Sequence, residues 1–343
     1  MKRTNVFILL FVVCTLNIIS SVAAGNIRFG TDGKLKIMQI TDTHIIAGSE
    51  HSQVSIDMLH TVLDAEKPDL VIFTGDVVTG KPYKAGFDMV MEPVVSRKIP
   101  WALIFGNHDH EQDLTYEQLA AFINPYPYNI GSMNPIAGVS GYGNYVLEIK
   151  GRNGQKTEAV LYCMDSHSYS ALKPLVKGYG WFTFDQVEWY RRMSDRYTAA
   201  NNGTPLPALA FFHIPLPEYK EVSGAGSKMT GMKLKDVYSP DVNSGMFLAM
   251  LEKGDVMGTF VGHDHANDFI FNHYGIALAY GRFSGSKNTS YSVIVDGVRK
   301  TRSIDFPNGV RMIELTEGQR GFDTWTRLND GTVIDKVRFP DNF

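Results

Sequence analysis

The sequence predicts an α/β fold in which layered β-sheets form a sandwich flanked by helices. Apolar, strand-like runs alternate with helical patterns through the middle of the chain, which is typical of layered α/β proteins. Several of these runs stop directly before a polar side chain. Because ligands of α/β sheets bind in the crevice outside the carboxyl ends of the strands, we expect one ligand site at those ends.

The N-terminus is predicted to be an export signal, residues 1–24. Lys2 and Arg3 form a short positive region, the uncharged apolar run Val6–Leu16 follows, and small residues occur within 21–24. This order is typical of a cleavable signal peptide. We therefore expect a periplasmic or secreted protein whose remaining chain, after cleavage, forms a single domain without a stable membrane span.

Two other interpretations of the N-terminus stay open. A membrane anchor needs about 20 consecutive apolar residues, and here Thr15 and Asn17 interrupt the run. A lipoprotein would be lipidated on Cys14, but Val13 occupies the position where a small residue is normally required. Both features favour the cleaved signal, which leaves a single domain over residues 25–343.

The predicted elements alternate in the order expected of α/β layers. A helix is predicted over Ser55–Glu66, and capping boxes predict helix starts at Thr115 and Thr183. Segments 124–158 and 214–240 are rich in Gly, Pro, Tyr and Ser and are predicted to be long loops over the crevice. The predicted strands are Leu35–Ile40, Leu70–Thr74, Trp101–Phe105, Ala159–Cys163, Ala208–Phe212 and Val256–Val261.

Five short polar segments carry the chemistry, and each lies at or beside a predicted strand end. Aspartate and histidine together suit borderline transition metals, because they combine hard oxygen with imidazole nitrogen. Residues two apart in an extended segment share a face, so each D-x-H or H-x-H pair can converge on one ion. The segments are Asp42-Thr43-His44, Gly75-Asp76, Gly106-Asn107-His108-Asp109, His213 and Gly262-His263-Asp264-His265.

The order of these segments resembles the calcineurin-like metallophosphoesterase superfamily, over roughly residues 35 to 270. The resemblance implies a metallophosphoesterase-like fold with a dinuclear metal site. It implies that His108 lies beside the substrate and that Asp109 supports it. It also implies two sets of metal ligands with Asp76 as the bridge: Asp42, His44 and His265 for one ion, and Asn107, His213 and His263 for the other.

One departure narrows the expected metals. The overall order is similar to single-domain enzymes described as purple-acid-phosphatase-like, whose purple members use D-x-x-Y with an iron-binding tyrosine. Here Asp76 is followed by Val77, Val78 and Thr79, so the tyrosine is missing. The resemblance then implies two divalent or trivalent ions of Fe, Mn or Zn, in a colourless or weakly coloured protein.

The predicted function is hydrolysis of phosphate esters by attack of a metal-bridging hydroxide. Metal coordination lowers the pKa of water to around 7, which makes the nucleophile available at neutral pH. Phosphomonoesters are favoured and phosphodiesters are the alternative, because both present the same electrophilic phosphorus. The expected partner is a small phosphorylated substrate, and His167 and Arg282 are candidate substrate contacts.

Composition, one competing motif and the complete set of site residues argue against three other classes of function. A formal net charge of −3 over 343 residues gives no basic surface for nucleic acid. His263 to Asp268 contains H-x-H-x-x-D, reminiscent of metallo-β-lactamase-like hydrolases, but Asn267 and Asp268 stand where that block continues with Asp-His. A non-catalytic protein with a decayed metal site would lack a ligand or His108, and neither is missing. The sequence does not indicate the oligomeric state.

Overall fold

The computed structural model describes residues 23–223, 228–286, 288–295 and 298–343. The predicted signal peptide lies outside these residues up to position 22. The helices are α1 (Glu50–Glu66), α2 (Tyr83–Ser96), α3 (Tyr116–Ile123), α4 (Phe184–Ala200) and α5 (Met246–Lys253), with a 3₁₀ helix at Pro217–Ser223. The strands are β1 (Ala23–Arg28), β2 (Lys34–Ile40), β3 (Leu70–Thr74), β4 (Trp101–Ile104), β5 (Tyr145–Lys150), β6 (Thr157–Cys163), β7 (Ala208–Phe211), β8 (Met229–Thr230), β9 (Val256–Val261), β10 (Ile270–His273), β11 (Ile276–Tyr280), β12 (Asn288–Val295), β13 (Val298–Asp305), β14 (Gly309–Thr316), β15 (Phe322–Leu328) and β16 (Val333–Phe339).

Two sheets carry the fold. One has the strand order β16-β15-β14-β2-β3-β4, and the other has the order β1-β5-β6-β7-β9-β11-β10-β8. Strands β2, β3 and β4 are parallel neighbours, and so are β6, β7, β9 and β11. This mixed architecture of two sheets with helices confirms the predicted fold class.

Side chains that alternate between the two faces of a central strand explain why the fold has two apolar cores. In β7, Leu209 and Phe211 belong to the core between the sheets, which also contains residues of β2 and β3. Ala208 and Ala210 belong to a second core, formed with α4 and α5. Because side chains alternate between the faces of a strand, one apolar strand serves both cores, and the small alanines make room for the large side chains of α4.

Most predicted elements are confirmed, with three corrections. Segment 214–240 is not all loop, since it contains the 3₁₀ helix and β8, which pairs with β10. Helix α1 begins at Glu50, five residues before the predicted start. The pattern missed these residues because the polar first turn of the helix carries no apolar periodicity. Segment 124–158 is not all loop, since β5 runs through it and pairs with both β1 and β6. Glu148 and Lys150 give β5 one polar face, which hid it among the neighbouring glycines and tyrosines. Both capping boxes are present.

Two further features belong to the described residues. Cys163 is a buried free thiol. None of the helices in the described part of the chain has the length and apolar character to span a membrane. The predicted cleavage site lies at the start of β1, which pairs with β5 from Ala23 onward.

Candidate metal centre

The polar segments lie where the parallel strands end. Asp42 follows β2 and Asp76 follows β3 in the six-stranded sheet, while His213 follows β7 and His263 follows β9 in the eight-stranded sheet. Asn107 follows β4. The two sheets thus contribute to one site from opposite sides, which explains how residues more than 200 positions apart come together.

The first group of candidate ligands is partly exposed to solvent. One ligand atom each of Asp42, His44 and His265 lies within 4.8 Å of the others. His265 Nε2 is 3.4 Å and His44 Nε2 is 3.9 Å from Asp42 Oδ1. The side chains of His44 and His265 are 25% and 29% exposed, so a molecule in solvent can approach this group. We call it the open group.

The second group is enclosed. One ligand atom each of Asp76, His213 and His263 lies within 4.8 Å of the others, and all three residues are buried. His213 Nε2 is 3.2 Å from Asp76 Oδ2. The His213 and His263 rings meet edge to face, with centroids 5.2 Å apart. We call this the buried group.

Asp76 connects the two groups. Its Oδ2 atom lies 3.2 Å from Nε2 of His213 in the buried group and 3.6 Å from Nε2 of His44 in the open group. One carboxylate is therefore within reach of a cation in either group, as the resemblance implies for a bridging ligand.

Unpartnered buried atoms show that these residues fit cations. Nε2 of His44, His213 and His263 and Oδ1 of Asn107 are buried without a hydrogen-bond partner. Such orphans are rare in folded proteins. The His213 Nδ1–H group donates to the Thr74 carbonyl at 2.7 Å, which turns the Nε2 lone pair toward the site, as is usual for a metal-binding histidine. The two groups support the binding of two metal ions.

The pKa values follow from buried carboxylates facing imidazoles. Burial raises the pKa of Asp42, but the neighbouring imidazoles of His265 and His44 outweigh it and hold that pKa well below its usual value. Burial disfavours the charged form of His213, yet Asp76 and Asp42 raise its pKa to about 10. Burial lowers the pKa of His265. In the metal-free protein, a proton on His213 occupies the place of a cation.

Four of the candidate ligands have a left-handed backbone conformation. Asp42, His44, Asp76 and His263 have φ values of 54°, 48°, 53° and 78°. Non-glycine residues rarely adopt positive φ, and each such residue costs on the order of 1–3 kcal/mol when the conformation is strained. Sparsely populated backbone conformations of this kind cluster at functional sites, where the surrounding structure holds them in place.

Two predicted glycines leave space for close approach. A Cβ atom on Gly75, whose φ is 89°, would lie 2.6 Å from the backbone nitrogen of Gly106. A Cβ atom on Gly262 would lie 2.6 Å from Oδ2 of Asp42. Larger residues at these strand exits would push the ligand-bearing segments apart.

Asp109 has a different contact from the expected one. Its Oδ2 atom accepts the N–H groups of Gly106 and Asp76, each at 2.8 Å, and its Oδ1 atom accepts that of Val77 at 2.9 Å. Both oxygens are thus engaged by backbone. Asp109 fixes the exits of β3 and β4 relative to each other, and the prediction that it supports the His108 ring is corrected.

The His108 ring is held by residues that the sequence reasoning missed. Its Nδ1 atom lies 2.5 Å from Oε2 of Glu111, and Oε1 of Glu111 accepts the hydroxyl of Tyr169 at 3.0 Å. Tyr169 stacks on Tyr179, which meets the His263 ring edge to face at 4.4 Å. The three-residue spacing from His108 is a signal for Glu111, whereas nothing in the sequence points to the tyrosines.

The two candidate substrate contacts lie in structural networks. His167 Nε2 is 2.8 Å from Oε1 of Gln186, the capping residue of α4. Arg282 is buried, pairs with Asp268 at 2.7 Å and stacks on the Phe306 ring at 3.3 Å. A guanidinium engaged in this way cannot reach a leaving group, so the expectation for Arg282 is corrected, and His167 is left without support as a substrate contact.

Comparison with known proteins gives a family and a fold. The model of the calcineurin-like phosphoesterase family matches residues 35–267. An Arabidopsis thaliana protein named "Probable inactive purple acid phosphatase 14" is 33% identical, over 89% of this chain and 83% of its own length. "Phosphatase DCR2" of Saccharomyces cerevisiae is 31% identical over 87% of this chain, which spans 54% of that protein.

A solved structure has the same fold. It is a dimetal phosphatase from Danio rerio, with a TM-score of 0.60 and 11% identity, and the match covers 89% of this chain and 98% of the other. At this identity the likeness concerns the arrangement of sheets and helices alone.

Proposed function

This chain belongs to the calcineurin-like phosphoesterase family, and on that premise we propose that it is a metal-dependent hydrolase of phosphate esters, with monoesters preferred over diesters. The observation that carries the proposal is the meeting of two ligand groups at Asp76. Two ions on either side of one carboxylate form a suitable clamp for an in-line phosphoryl displacement.

Different residues would have different roles in this reaction. The buried and open groups would hold the two ions, with Asn107 completing the buried one. When bound, the ions supply a water activated at neutral pH and positive charge that offsets the phosphoryl oxygens. Asp76 holds both groups in register and accepts the His108 backbone N–H at 2.8 Å. The fixed backbone keeps His108 at the rim of the site.

His108 is the proposed proton donor to the leaving oxygen. Its side chain is 37% exposed, and its ring centroid is 5.7 Å from that of His44 in the open group. A substrate bound over the open group would therefore meet the free face of this imidazole. Proton transfer by a positioned side chain is typically worth about 10²–10⁴-fold in rate.

The metals proposed are Fe, Mn or Zn, and the protein is proposed to be colourless or weakly coloured. Imidazole and carboxylate ligands suit these ions. Val77, Val78 and Thr79 follow Asp76, so no tyrosinate stands at that position to colour an iron centre. Strong visible absorption of metal-loaded protein would contradict this part of the proposal.

We propose export to the periplasm or the medium, from the charge and apolar pattern of residues 1–24. The expected partner is a small phosphorylated substrate. Mass spectrometry of the N-terminus of protein recovered outside the cytoplasm tests the export, with a mature chain beginning at Ala24 or Gly25 as the expected result.

A non-catalytic metal-binding protein is the second candidate. The observation in its favour is the 33% identity to a protein that is named as probably inactive. Against it, all seven proposed ligands and His108 are present, and four of the ligand atoms are buried without a hydrogen bond. We therefore rank hydrolysis first.

A metal-supplemented activity screen tests the proposal. The chain is loaded with Mn²⁺, Zn²⁺ or Fe²⁺ and assayed on aryl phosphates, nucleotides, sugar phosphates and a bis-aryl diester. We expect metal-dependent phosphate release from monoesters, and less product from the diester. Two bound metal equivalents without turnover of any substrate would favour the non-catalytic candidate.

A further inference from the structure

We propose that Glu111, together with Tyr169, is a positioning element that orients the His108 imidazole toward the leaving group. This inference rests on the proposed function and assigns roles to two residues outside the metal ligands. It is argued from the contacts of one carboxylate.

Each oxygen of the Glu111 carboxylate has a different partner. Oε2 accepts the His108 Nδ1–H at 2.5 Å, and Oε1 accepts the Tyr169 hydroxyl at 3.0 Å. Tyr169 comes from the loop after β6, 58 residues along the chain. The carboxylate is therefore held from outside its own segment and cannot rotate freely with the exposed turn that carries it.

The contacts define which ring atom of His108 is free. Its backbone N–H is tied to Asp76 Oδ1 at 2.8 Å, and its Nδ1 is tied to Glu111. Nε2 is then the atom left for a substrate: on the imidazolium it carries the proton that passes to the leaving oxygen, while the Nδ1–H stays on Glu111. A histidine whose second nitrogen is oriented by a carboxylate is the arrangement used to fix the tautomer of catalytic and metal-binding imidazoles.

Stability does not explain the arrangement. The side chains of His108 and Glu111 are 37% and 35% exposed, and pairs this open contribute little to folding. Its position explains it better: the ring lies beside His44 of the open group, and Tyr169 stacks on Tyr179, which contacts His263 of the buried group. The network joins the proposed proton donor to both ligand groups.

The chain offers a matched control. Glu117 is an exposed carboxylate that accepts the hydroxyl of Tyr142, as Glu111 accepts that of Tyr169, but it has no histidine partner among its described contacts. Glu117→Ala and Tyr142→Phe therefore remove the same kind of contact without touching the His108 ring.

The first test does not depend on activity. The imidazole nitrogens of His108 are observed by ¹⁵N NMR in the Zn²⁺-loaded chain and assigned by their loss in His108→Ala. At a pH where the ring is neutral, we expect the proton on a hydrogen-bonded Nδ1 in the parent and in Glu117→Ala, and a mixture of tautomers in Glu111→Ala. An unchanged ring spectrum in Glu111→Ala would overturn the proposal.

The second test uses leaving groups of different quality. With p-nitrophenyl phosphate, whose leaving group needs little protonation, we expect Glu111→Ala to lower kcat less than about 3-fold. With an alkyl phosphate we expect a fall of about 10- to 100-fold at unchanged KM, a smaller fall in Tyr169→Phe, and partial rescue in Glu111→Gln. Equal losses on both substrates would overturn the positioning role.

The two tests separate the failure of this inference from that of the proposed function. A metal-loaded parent that hydrolyses no ester would contradict the proposed function, and the ring spectra would then still decide whether Glu111 orients His108. If the parent is active and Glu111→Ala changes only the melting temperature, the inference alone is contradicted.

Discussion

The two ligand groups contain the same residue types but differ in their exposure. In the open group, His44 and His265 keep about a quarter of their surface in solvent, whereas every member of the buried group is enclosed. Burial without a partner is costly for a polar atom, so the buried group gains more from a cation. The open group is the one that substrate and exchanging metal can reach.

Each group contains one imidazole with a raised pKa and one with a lowered pKa. Nearby carboxylates outweigh burial and raise the pKa of His213 to about 10 and that of His44 above its ordinary value, while burial lowers the pKa of His263 and of His265. At neutral pH the metal-free buried group therefore holds a proton on His213. A cation entering this group must displace that proton, and one entering the open group meets His44, whose pKa is raised, and His265, whose pKa is lowered.

The largest effect is expected for the residue that the groups share. Asp76→Asn keeps the shape of the side chain but removes the charge that both ions would face, so we expect affinity for both metals to fall by more than the 10- to 100-fold typical of an outer partner. Metal analysis after dialysis checks this, and loss of only one equivalent would contradict bridging.

A buried aspartate elsewhere provides the control for Asp76→Asn. Asp255 lies at the opposite end of β9 from His263 and accepts the hydroxyls of Tyr162 and Tyr190. Asp255→Asn is expected to lower the melting temperature while both metal equivalents remain bound.

The next effect separates metal binding from proton donation. We expect His108→Ala to retain both metals and to lower kcat by about 10²–10⁴-fold on substrates with poor leaving groups, because His108 is not a proposed ligand. Parallel metal analysis and kinetics measure it, with His51→Ala on the exposed start of α1 as control. Full activity of His108→Ala would exclude it from the mechanism.

A matched pair of substitutions compares the groups directly. We expect His265→Ala to lose one metal readily to a weak chelator while the other remains, since the open group admits solvent. His263→Ala removes a buried ligand and leaves a cavity, so we expect both a lost metal and a larger fall in melting temperature. Similar chelation kinetics in the two variants would show that burial does not distinguish the groups.

The smallest effect is the release of protons on metal binding. Because the raised pKa keeps His213 charged at pH 7, metal entry is expected to release about one proton at the buried group, and affinity should increase as the pH rises toward 10. Titration calorimetry in buffers of different ionisation enthalpy measures the release. Buffer-independent heats would contradict a protonated His213.

In the metal-free protein, a rise in pH has the opposite effect, because it lowers the stability of the fold. The raised pKa of His213 contributes stability that is fully present below its unfolded value of about 6.5 and is lost as the pH rises through about 10. Alkaline pH should therefore destabilise the metal-free chain through this group while it strengthens metal binding.

Sequence reasoning was strongest where local pattern and chemistry coincide. The strands before Asp42, Asp76 and His263 are short apolar runs with a glycine or polar exit, and such patterns are local properties of the chain. The α/β layering follows from the same runs. Grouping the ligands in two sets needed the family resemblance, since spacing alone does not tell which sheet supplies which residue.

The contacts that could not be predicted from the sequence depend on long-range packing. The partner of the His108 ring is Glu111, and the choice between Glu111 and Asp109 is made by backbone N–H groups that converge on Asp109 only after β3 and β4 pair. Tyr169 arrives from a distant loop. Arg282 follows a ligand segment and suggested a substrate contact, but its burial against Asp268 is a tertiary property.

Anomalous diffraction at a metal absorption edge, from crystals of the Zn²⁺- or Mn²⁺-loaded chain, tests the central claim most directly. The account predicts two peaks about 3.5–4 Å apart, one at Asp42, His44 and His265 and one at His213 and His263, with the Asp76 carboxylate between them. A single peak, or peaks away from these side chains, would contradict it.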